Sequence, residues 1–195
     1  SSVSFNTDIY HAHPNASDIP TYVYCQEGNV VPAPDGSIWA IYRVDSVPIP
    51  GTAIVMKLSA DGKTLTYDRT ASDSMISFDG GLTIRYDVQS GQYLALVNNV
   101  TDIRTWAQRN VLSLAVSDDL IHWRLCKTVL IDRSVMNDYI SMTRHGFQYV
   151  DWTVDGNDLL FAVREAMGDS ENYHNANYLT FYRLENYQEL ILPEE

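Results

Sequence analysis

The segment "CQEGNVVPAPDGSIWAIYRVDS", residues 25–46, contains the pattern on which the chain is built. Two β-prone runs, "NVVPAP" and "SIWAIYRV", lie on either side of the turn pair Asp35-Gly36. Turn residues between two such runs predict a β-hairpin. Glu27 opens the first strand and Arg43 ends the second, so the hairpin places both side chains at the same end of the sheet.

Arg43 also shares a strand face with apolar neighbours. It alternates with Ile41 and Trp39, and alternate residues of a strand point to the same side. A charge on such a face needs a partner or a ligand. The sequence leaves three alternatives open: Arg43 reaches solvent at the strand end, pairs with Glu27 or Asp45, or binds a ligand.

The hairpin pattern occurs three times. The other two turn pairs are Ser90-Gly91 and Asp155-Gly156, each preceded by a β-prone stretch and followed by an apolar run. After a polar gap, each copy continues into a further strand: "AIVMKLS", "VLSLAVS" and "YLTFYRL". Four short strands at this period are typical of a β-propeller blade.

Two of these further strands lead into a similar motif, "SADGKTL" (59–65) and "SDDLIHW" (117–123). In both, an Asp follows the Ser by two residues and an apolar side chain follows it by six. We predict a tight turn in which the Asp accepts backbone hydrogen bonds. The apolar residue, Leu65 or Trp123, would anchor the next strand.

We therefore predict an all-β chain, a single partial β-propeller domain over residues 1–195. Its three four-stranded blades lie near 22–75, 76–135 and 136–192. A sandwich of three similar hairpins is the alternative. Because closed propellers have about four to eight blades, and an open stack leaves sheet edges unpaired, we expect the missing blades to come from upstream sequence or from another chain.

The composition excludes some functions. The formal net charge is −12, and no basic run is present, which argues against nucleic-acid binding. No apolar stretch reaches the roughly 18 residues of a membrane span. Cys25 and Cys126 lack metal-ligand spacing and are predicted to be free thiols. No phosphate loop or G-x-S-x-G elbow is present, so we expect no cofactor and no metal.

With these motifs in place, the chain resembles the sialidase (neuraminidase) superfamily of glycoside hydrolases, in particular bacterial sialidase-like proteins with Asp-box (BNR) repeats. "SADGKTL" and "SDDLIHW" resemble shortened Asp boxes. "EGNVVPAPDGSIWAIYR", "QRNVLSLAVSDDLIHW" and "FQYVDWTVDGNDLLFAV" are similar to the segments that carry the family's glutamate, arginines and tyrosine. The resemblance covers roughly residues 25–190. It implies the C-terminal part of a six-bladed propeller.

The resemblance also implies a division of roles. Arg43 and Arg109 match two of the three arginines that hold the substrate carboxylate, for which the planar guanidinium fork is suited. Tyr149 matches the nucleophile and Glu27 the carboxylate that takes its proton. A neutral phenol suits an anomeric carbon that already bears a carboxylate, because an anionic nucleophile would be repelled there.

Three further residues are candidate substrate contacts: Arg164, Asn98 and His174. Arg164 stands where the family often has tyrosine, and Asn98 ends the middle strand as Arg43 ends the first. The chain departs from the family in lacking a recognisable third arginine and acid/base aspartate. Asp8 and Asp18 are the available N-terminal carboxylates, and no motif supports either.

The sequence thus predicts an exo-glycosidase that removes terminal acidic sugars of the sialic-acid type, with a glycan as its partner. One alternative is a hydrolase or lyase of other glycans on the same scaffold. Another is a carbohydrate-binding propeller without catalysis. For each of these, an extracellular or periplasmic location is expected.

Overall fold

The structure is a computed structural model that describes residues 4–5, 24–45, 53–73, 80–99 and 108–192. These residues form twelve strands and three short helices. The strands are β1 (Ser4–Phe5), β2 (Tyr24–Pro32), β3 (Ile38–Asp45), β4 (Ala53–Leu58), β5 (Thr64–Asp68), β6 (Ile84–Asp87), β7 (Gln92–Val97), β8 (Val111–Ser117), β9 (Trp123–Ile131), β10 (Gly146–Asp155), β11 (Asp158–Ala166) and β12 (Tyr178–Leu184). The helices are α1 (Arg69–Asp73), α2 (Asp138–Arg144) and α3 (Tyr187–Leu190).

The strands form three sheets in chain order. Sheet 1 has the order β1-β5-β4-β3-β2, sheet 2 the order β6-β7-β8-β9, and sheet 3 the order β10-β11-β12. Neighbouring strands that follow one another along the chain are antiparallel, whereas β1 joins β5 in parallel. The prediction of an all-β chain built from antiparallel hairpins is confirmed.

Sheet 3 differs from the predicted four-stranded unit, because it has three strands among the described residues. After β12 the chain turns into α3 instead of a fourth strand. Tyr187 of this helix is fully buried in the core, and its hydroxyl donates to Asp87 Oδ2 at 2.8 Å. Burial of this aromatic ring against sheet 2 therefore directs the chain away from the edge of β12.

The three turn pairs form hairpin turns, as the sequence predicts. Gly36, Gly91 and Gly156 have φ of 80°, 72° and 64°, a left-handed conformation that glycine adopts without steric cost. In the first turn Asp35 Oδ1 accepts from the amide of Ser37 at 2.9 Å.

Both Ser-x-Asp motifs form the expected turns. Asp61 accepts from Ser59 Oγ at 2.7 Å, and Ser59 Oγ accepts from the amide of Thr64 at 3.0 Å. In the second motif Asp119 Oδ1 accepts from the amides of Ile121 and His122 at 2.8 and 2.7 Å. Partial burial raises the pKa of Asp119, but the hydrogen bonds from the His122 side chain and from these two amides outweigh it and lower the pKa to about 2.

The sheets pack face to face around two main core clusters. The first cluster joins sheets 1 and 2, and the second joins sheets 2 and 3. Strand β7 shows the alternation: Tyr93, Ala95 and Val97 face the first cluster, and Leu94 and Leu96 face the second. The central strands β7 and β8 of sheet 2 are thus buried on both faces, which explains the predominantly apolar run of β8.

Among the described residues, no helix has both the length and the apolar character that a membrane crossing requires.

Candidate functional site

Two predicted catalytic residues occupy the same kind of backbone position in different sheets. Glu27 and Tyr149 have φ of 42° and 51°. Each follows a glutamine at a register shift of its hairpin, between Gln26 and Asn29 in sheet 1 and between Gln148 and Asp151 in sheet 3. Such β-bulges re-aim side chains and are over-represented next to active sites, and positive φ in non-glycine residues is uncommon.

In sheet 1, the bulge supplies a partner for the buried arginine. Arg43 is 4% exposed, and its Nε donates to Glu27 Oε2 at 2.6 Å. The amide oxygen of Gln26, the cross-strand partner of Arg43, accepts from Nη2. Of the alternatives open from the sequence, pairing with Glu27 is therefore present in the structure.

In sheet 3, the bulge places Tyr149 among basic side chains. The guanidinium carbons of Arg164 and Arg109 lie 5.2 and 5.9 Å from the centroid of its ring, within cation–π range. The ring of His174 meets it edge-on, with 6.3 Å between centroids. The backbone of Tyr149 is held by the segment that precedes β6, because its amide donates to the carbonyl of Gly80 at 2.5 Å.

Arg109 is held just before β8 by backbone pairing with β10. Its carbonyl accepts a hydrogen bond from the amide of Phe147 at 2.8 Å. Arg109 is buried, with 4% of its surface exposed. Its guanidinium carbon also lies 5.0 Å from the centroid of the Tyr173 ring. Nη1 donates to the amide oxygen of Gln148.

Gln148 was not singled out by the sequence, although it is at the centre of this cluster. It is fully buried. Its Nε2 donates to the carbonyls of Tyr173 and His174 at 2.7 and 3.1 Å. Arg164 Nη2 donates to the same His174 carbonyl at 2.9 Å. The segment 173–174 is therefore held by two side chains of the β10–β11 hairpin.

The pKa of His174 depends on the charges of Arg109, Arg164 and Arg43. Its pKa is lowered first by partial burial. The positive charges of Arg109, Arg164 and Arg43 lower it further. His174 is therefore neutral near pH 7, with one ring nitrogen as a donor and one as an acceptor. This side chain suits hydrogen bonding to sugar hydroxyls.

Asn98 has a different environment from the other predicted contacts. It is 2% exposed. Its Nδ2 donates to the carbonyls of Phe147 and Val111 at 2.8 and 2.9 Å. The same nitrogen is 3.3 Å from the carbonyl of Arg109. The amide thus joins sheet 2 to the start of β10. This geometry fits a role in positioning Arg109 better than contact with a ligand.

The structure thus brings together Tyr149, Arg109, Arg164 and His174, with Arg43 within electrostatic reach. In the described part of the chain, the carboxylate of Glu27 contacts Arg43 and no hydrogen bond joins it to the Tyr149 hydroxyl. Asp8 and Asp18 lie outside the described residues.

A second polar cluster is formed by the buried side chains of Asp132 and His145 together with Ser134. The Oδ2 of Asp132 is 2.6 Å from His145 Nδ1, and Ser134 Oγ is 3.2 Å from that same nitrogen. Serine and aspartate therefore meet one ring nitrogen, whereas a catalytic triad needs them on opposite nitrogens. His145 is 1% exposed, and its Nε2 is 3.3 Å from the carbonyl of Gly168. This cluster is structural, and it holds the start of the loop that carries residues 173–174.

Among the described residues, no group of three or more His, Cys, Asp or Glu side chains has metal-binding geometry. The described site is therefore built from guanidinium, phenol, imidazole and amide groups. Its arginines are the predominant charges around Tyr149, and guanidinium groups bind carboxylate, sulfate or phosphate oxygens. The arrangement is suited to an anionic ligand.

No protein-family description matches the chain, and no curated protein matches it. Among solved structures, the chain is similar to an N-acetylgalactosamine deacetylase from F. plautii in complex with blood group B trisaccharide. The TM-score is 0.53 at 12% identity, over 92% of this chain and 53% of that one. A GH43 β-1,3-galactosidase with galactodeoxynojirimycin aligns at a TM-score of 0.43 and 12% identity, over 84% of this chain and 42% of that one.

At this identity the likeness to the deacetylase shows the fold alone. The chain shares the β-rich fold of a glycan-processing enzyme and spans about half of that enzyme's length.

Proposed function

We propose that this chain carries the anion-recognition part of a glycan-processing site, of the sialidase-like type predicted from the sequence. The observation that carries the proposal is the placement of two guanidinium groups, Arg109 and Arg164, against the ring of Tyr149. The fold shared with a glycan-active enzyme supports a glycan as the ligand. In a chain of net charge −12, a local cluster of arginines is needed to attract an anion.

The proposed ligand is a terminal sugar with a carboxylate. Arg109 and Arg164 bind the carboxylate through guanidinium N–H groups, and Arg43 adds its positive field. His174 and Tyr173 contact the sugar ring or its hydroxyls. Asn98 positions Arg109 through the backbone.

The proposed reaction is hydrolysis with Tyr149 as nucleophile. Its phenol oxygen forms a bond to the anomeric carbon while the bond from that carbon to the glycosidic oxygen breaks. The phenol proton passes to Glu27, which requires the Glu27 carboxylate to exchange its contact with Arg43 for one with Tyr149. A proton donor for the leaving oxygen would come from outside the described residues. In the second step water attacks the anomeric carbon and the bond from that carbon to the Tyr149 oxygen breaks. Glu27 returns its proton to the phenol oxygen, and the group that protonated the leaving oxygen takes the proton from water.

A second candidate function is recognition of an acidic sugar without cleavage. The ion pair between Glu27 and Arg43 favours it, because at 2.6 Å the carboxylate is engaged with a guanidinium and not with the phenol. Hydrolysis or elimination on another glycan is a third reading of the same scaffold. For all three, we propose an extracellular or periplasmic location, where such glycans are found.

Turnover of a fluorogenic sialoside by the wild type, by Tyr149→Phe and by the control Tyr86→Phe distinguishes these candidates. Tyr86 is 48% exposed and lies beside the turn at the opposite end of the β6–β7 hairpin. We expect Tyr149→Phe to lower kcat at least about 100-fold, since it removes the nucleophilic oxygen, and the control to retain activity. Sugar binding without turnover in all three proteins would contradict hydrolysis and support recognition. Absence of both binding and turnover would refute the proposed ligand.

A further inference from the structure

A single buried amide joins the two sides of the proposed site. Gln148 has no exposed surface, and it lies between Arg109 on one side and segment 173–174 on the other. Its oxygen accepts from Arg109, and its nitrogen donates to the carbonyls of Tyr173 and His174. The guanidinium and the His174 ring are therefore positioned by the same side chain.

The chemistry of this contact requires an amide. Gln148 faces a donor at one end and two acceptors at the other, and an amide offers one group of each kind. An ionised glutamate has no donor for the two carbonyls, and methionine has neither a strong donor nor a strong acceptor. Glutamine is also neutral, so it directs a guanidinium without adding a negative charge to the site.

Sheet 1 contains a related arrangement, in which the arginine belongs to the same hairpin as the glutamine, whereas Arg109 lies outside the β10–β11 hairpin of Gln148. Gln26 directly precedes the bulge residue, its amide oxygen accepts from a guanidinium, and that guanidinium belongs to its cross-strand partner Arg43. The two hairpins differ in the bulge residue that follows, which is the acidic Glu27 in sheet 1 and the neutral Tyr149 in sheet 3. In sheet 3 neither the glutamine nor the bulge residue adds a carboxylate beside the arginine.

We propose that Gln148 is a positioning residue that sets the preference of the site for a carboxylate-bearing sugar. It aims Arg109 at the ligand and ties the Tyr173–His174 segment to the same hairpin. This inference rests on the proposed anion-binding function and assigns that function a specificity-determining residue.

A charge at position 148 would act on every ionisable group that surrounds it. Among the described residues these groups are Arg109, His174, the phenols of Tyr149 and Tyr173, and Arg164, which is the cross-strand partner of Gln148. A glutamate there would offset the positive charge of Arg109 at hydrogen-bond distance and would repel an incoming carboxylate. It would also set a carboxylate oxygen against the carbonyls of Tyr173 and His174.

The test compares the wild type with Gln148→Glu, Gln148→Met and the control Gln89→Glu. Gln89 is exposed at the turn between β6 and β7. Gln89→Glu therefore adds the same charge at the turn of the β6–β7 hairpin and not beside Arg109. Calorimetric titration measures affinity for the methyl α-glycoside of N-acetylneuraminic acid and for the methyl ester of that glycoside. The ratio of the two affinities reports recognition of the carboxylate, and a general loss of structure would not change it selectively. Near-UV circular dichroism establishes that each variant is folded.

We expect the wild type and Gln89→Glu to prefer the acid over the ester by about tenfold or more. Gln148→Glu should lower the affinity for the acid at least about tenfold and abolish the preference, and Gln148→Met should reduce the preference severalfold. A folded Gln148→Met protein that keeps the wild-type ratio overturns the role of Gln148, whether or not Gln148→Glu folds. A wild type that does not distinguish acid from ester overturns the proposed function, and this inference with it.

Discussion

The buried pair of Asp132 and His145 allows a quantitative prediction for the variant Asp132→Asn. The carboxylate accepts hydrogen bonds at both oxygens: Oδ1 from Ser134, and Oδ2 from Ser141 Oγ and His145 Nδ1, each at 2.6 Å. Ser141 Oγ in turn accepts from Asn110 Nδ2 at 2.7 Å, so this chain of donors ends at the carboxylate. An asparagine would place an N–H₂ group where one carboxylate oxygen now accepts, so this group would face either Ser134 or the donors of Ser141 and His145.

His145 adds a buried donor to this arrangement. Its Nδ1 lies 2.6 Å from Oδ2, and the side chains of Asp132 and His145 are almost fully buried. A buried donor left without an acceptor costs about 1–3 kcal/mol, and the N–H₂ group of asparagine offers no acceptor to the donors that face it. We expect Asp132→Asn to lower the free energy of unfolding by about 2–4 kcal/mol, a large part of the roughly 5–15 kcal/mol that stabilises a typical domain.

Urea unfolding at pH 7 and at lower pH measures both the cost and its origin. The hydrogen bonds from serine and His145 lower the pKa of Asp132 from 3.8 to about 2, although its burial opposes this shift. Because the folded-state pKa is below the ordinary value, the carboxylate stabilises the fold above pH 4, and this stabilisation is lost as the pH falls toward 2. At 1.36 kcal/mol per pKa unit, the lost part is roughly 2–3 kcal/mol.

The control Asp61→Asn changes an exposed turn carboxylate and should cost less than about 1 kcal/mol. The acid-dependent loss of stability should be smaller in Asp132→Asn than in the wild type, since the titrating group is gone. An Asp132→Asn protein within about 1 kcal/mol of the wild type would refute the role of the Asp132 carboxylate as the acceptor of these buried hydrogen bonds.

Two further predictions concern the site itself. Asn98→Asp should destabilise the fold by about 3 kcal/mol or more, because a carboxylate oxygen would replace the amide nitrogen that donates to the carbonyls of Phe147 and Val111. Thermal unfolding measures this loss. Unchanged stability would contradict the conclusion that the Asn98 amide joins sheet 2 to β10. In the free protein the pKa of His174 lies below its usual value of 6.5. A bound anion should raise this pKa, because a nearby negative charge favours the protonated imidazole, so we expect His174 to take up protons when the anion binds at about pH 6. Calorimetric titration in two buffers of different ionisation enthalpy measures the uptake, and equal enthalpies in both buffers at pH 6 would contradict it.

The hairpins could be predicted from the sequence because their signals are local. Asp35-Gly36 and its two equivalents determine where the chain reverses, and alternation of apolar residues on either side determines the strands. The proximity of Glu27 to Arg43 followed from the same local reasoning, since a hairpin brings its two open ends together.

The assembly of the site could be predicted only in part, because it depends on contacts between sheets. The family resemblance indicated Arg109 and Tyr149, and the sequence offered Arg164 and His174 as further candidate contacts. The structure brings these four residues together, whereas Glu27, also indicated by the resemblance, contacts Arg43. Gln148 carried no signal, since a glutamine in a β-strand becomes informative only when its partners are known. The turn into α3 was not predicted either, because burial of Tyr187 against Asp87 is a long-range contact.

The central claim is that arginines from separate hairpins meet beside Tyr149 to bind the acidic group of a sugar. A crystal structure of the protein soaked with N-acetylneuraminic acid tests it most directly. We predict that the sugar carboxylate lies within hydrogen-bond distance of Arg109 and Arg164, with the sugar ring near Tyr149 and His174. A sugar bound elsewhere with its carboxylate in solvent, or an empty site at saturating sugar, would contradict the account.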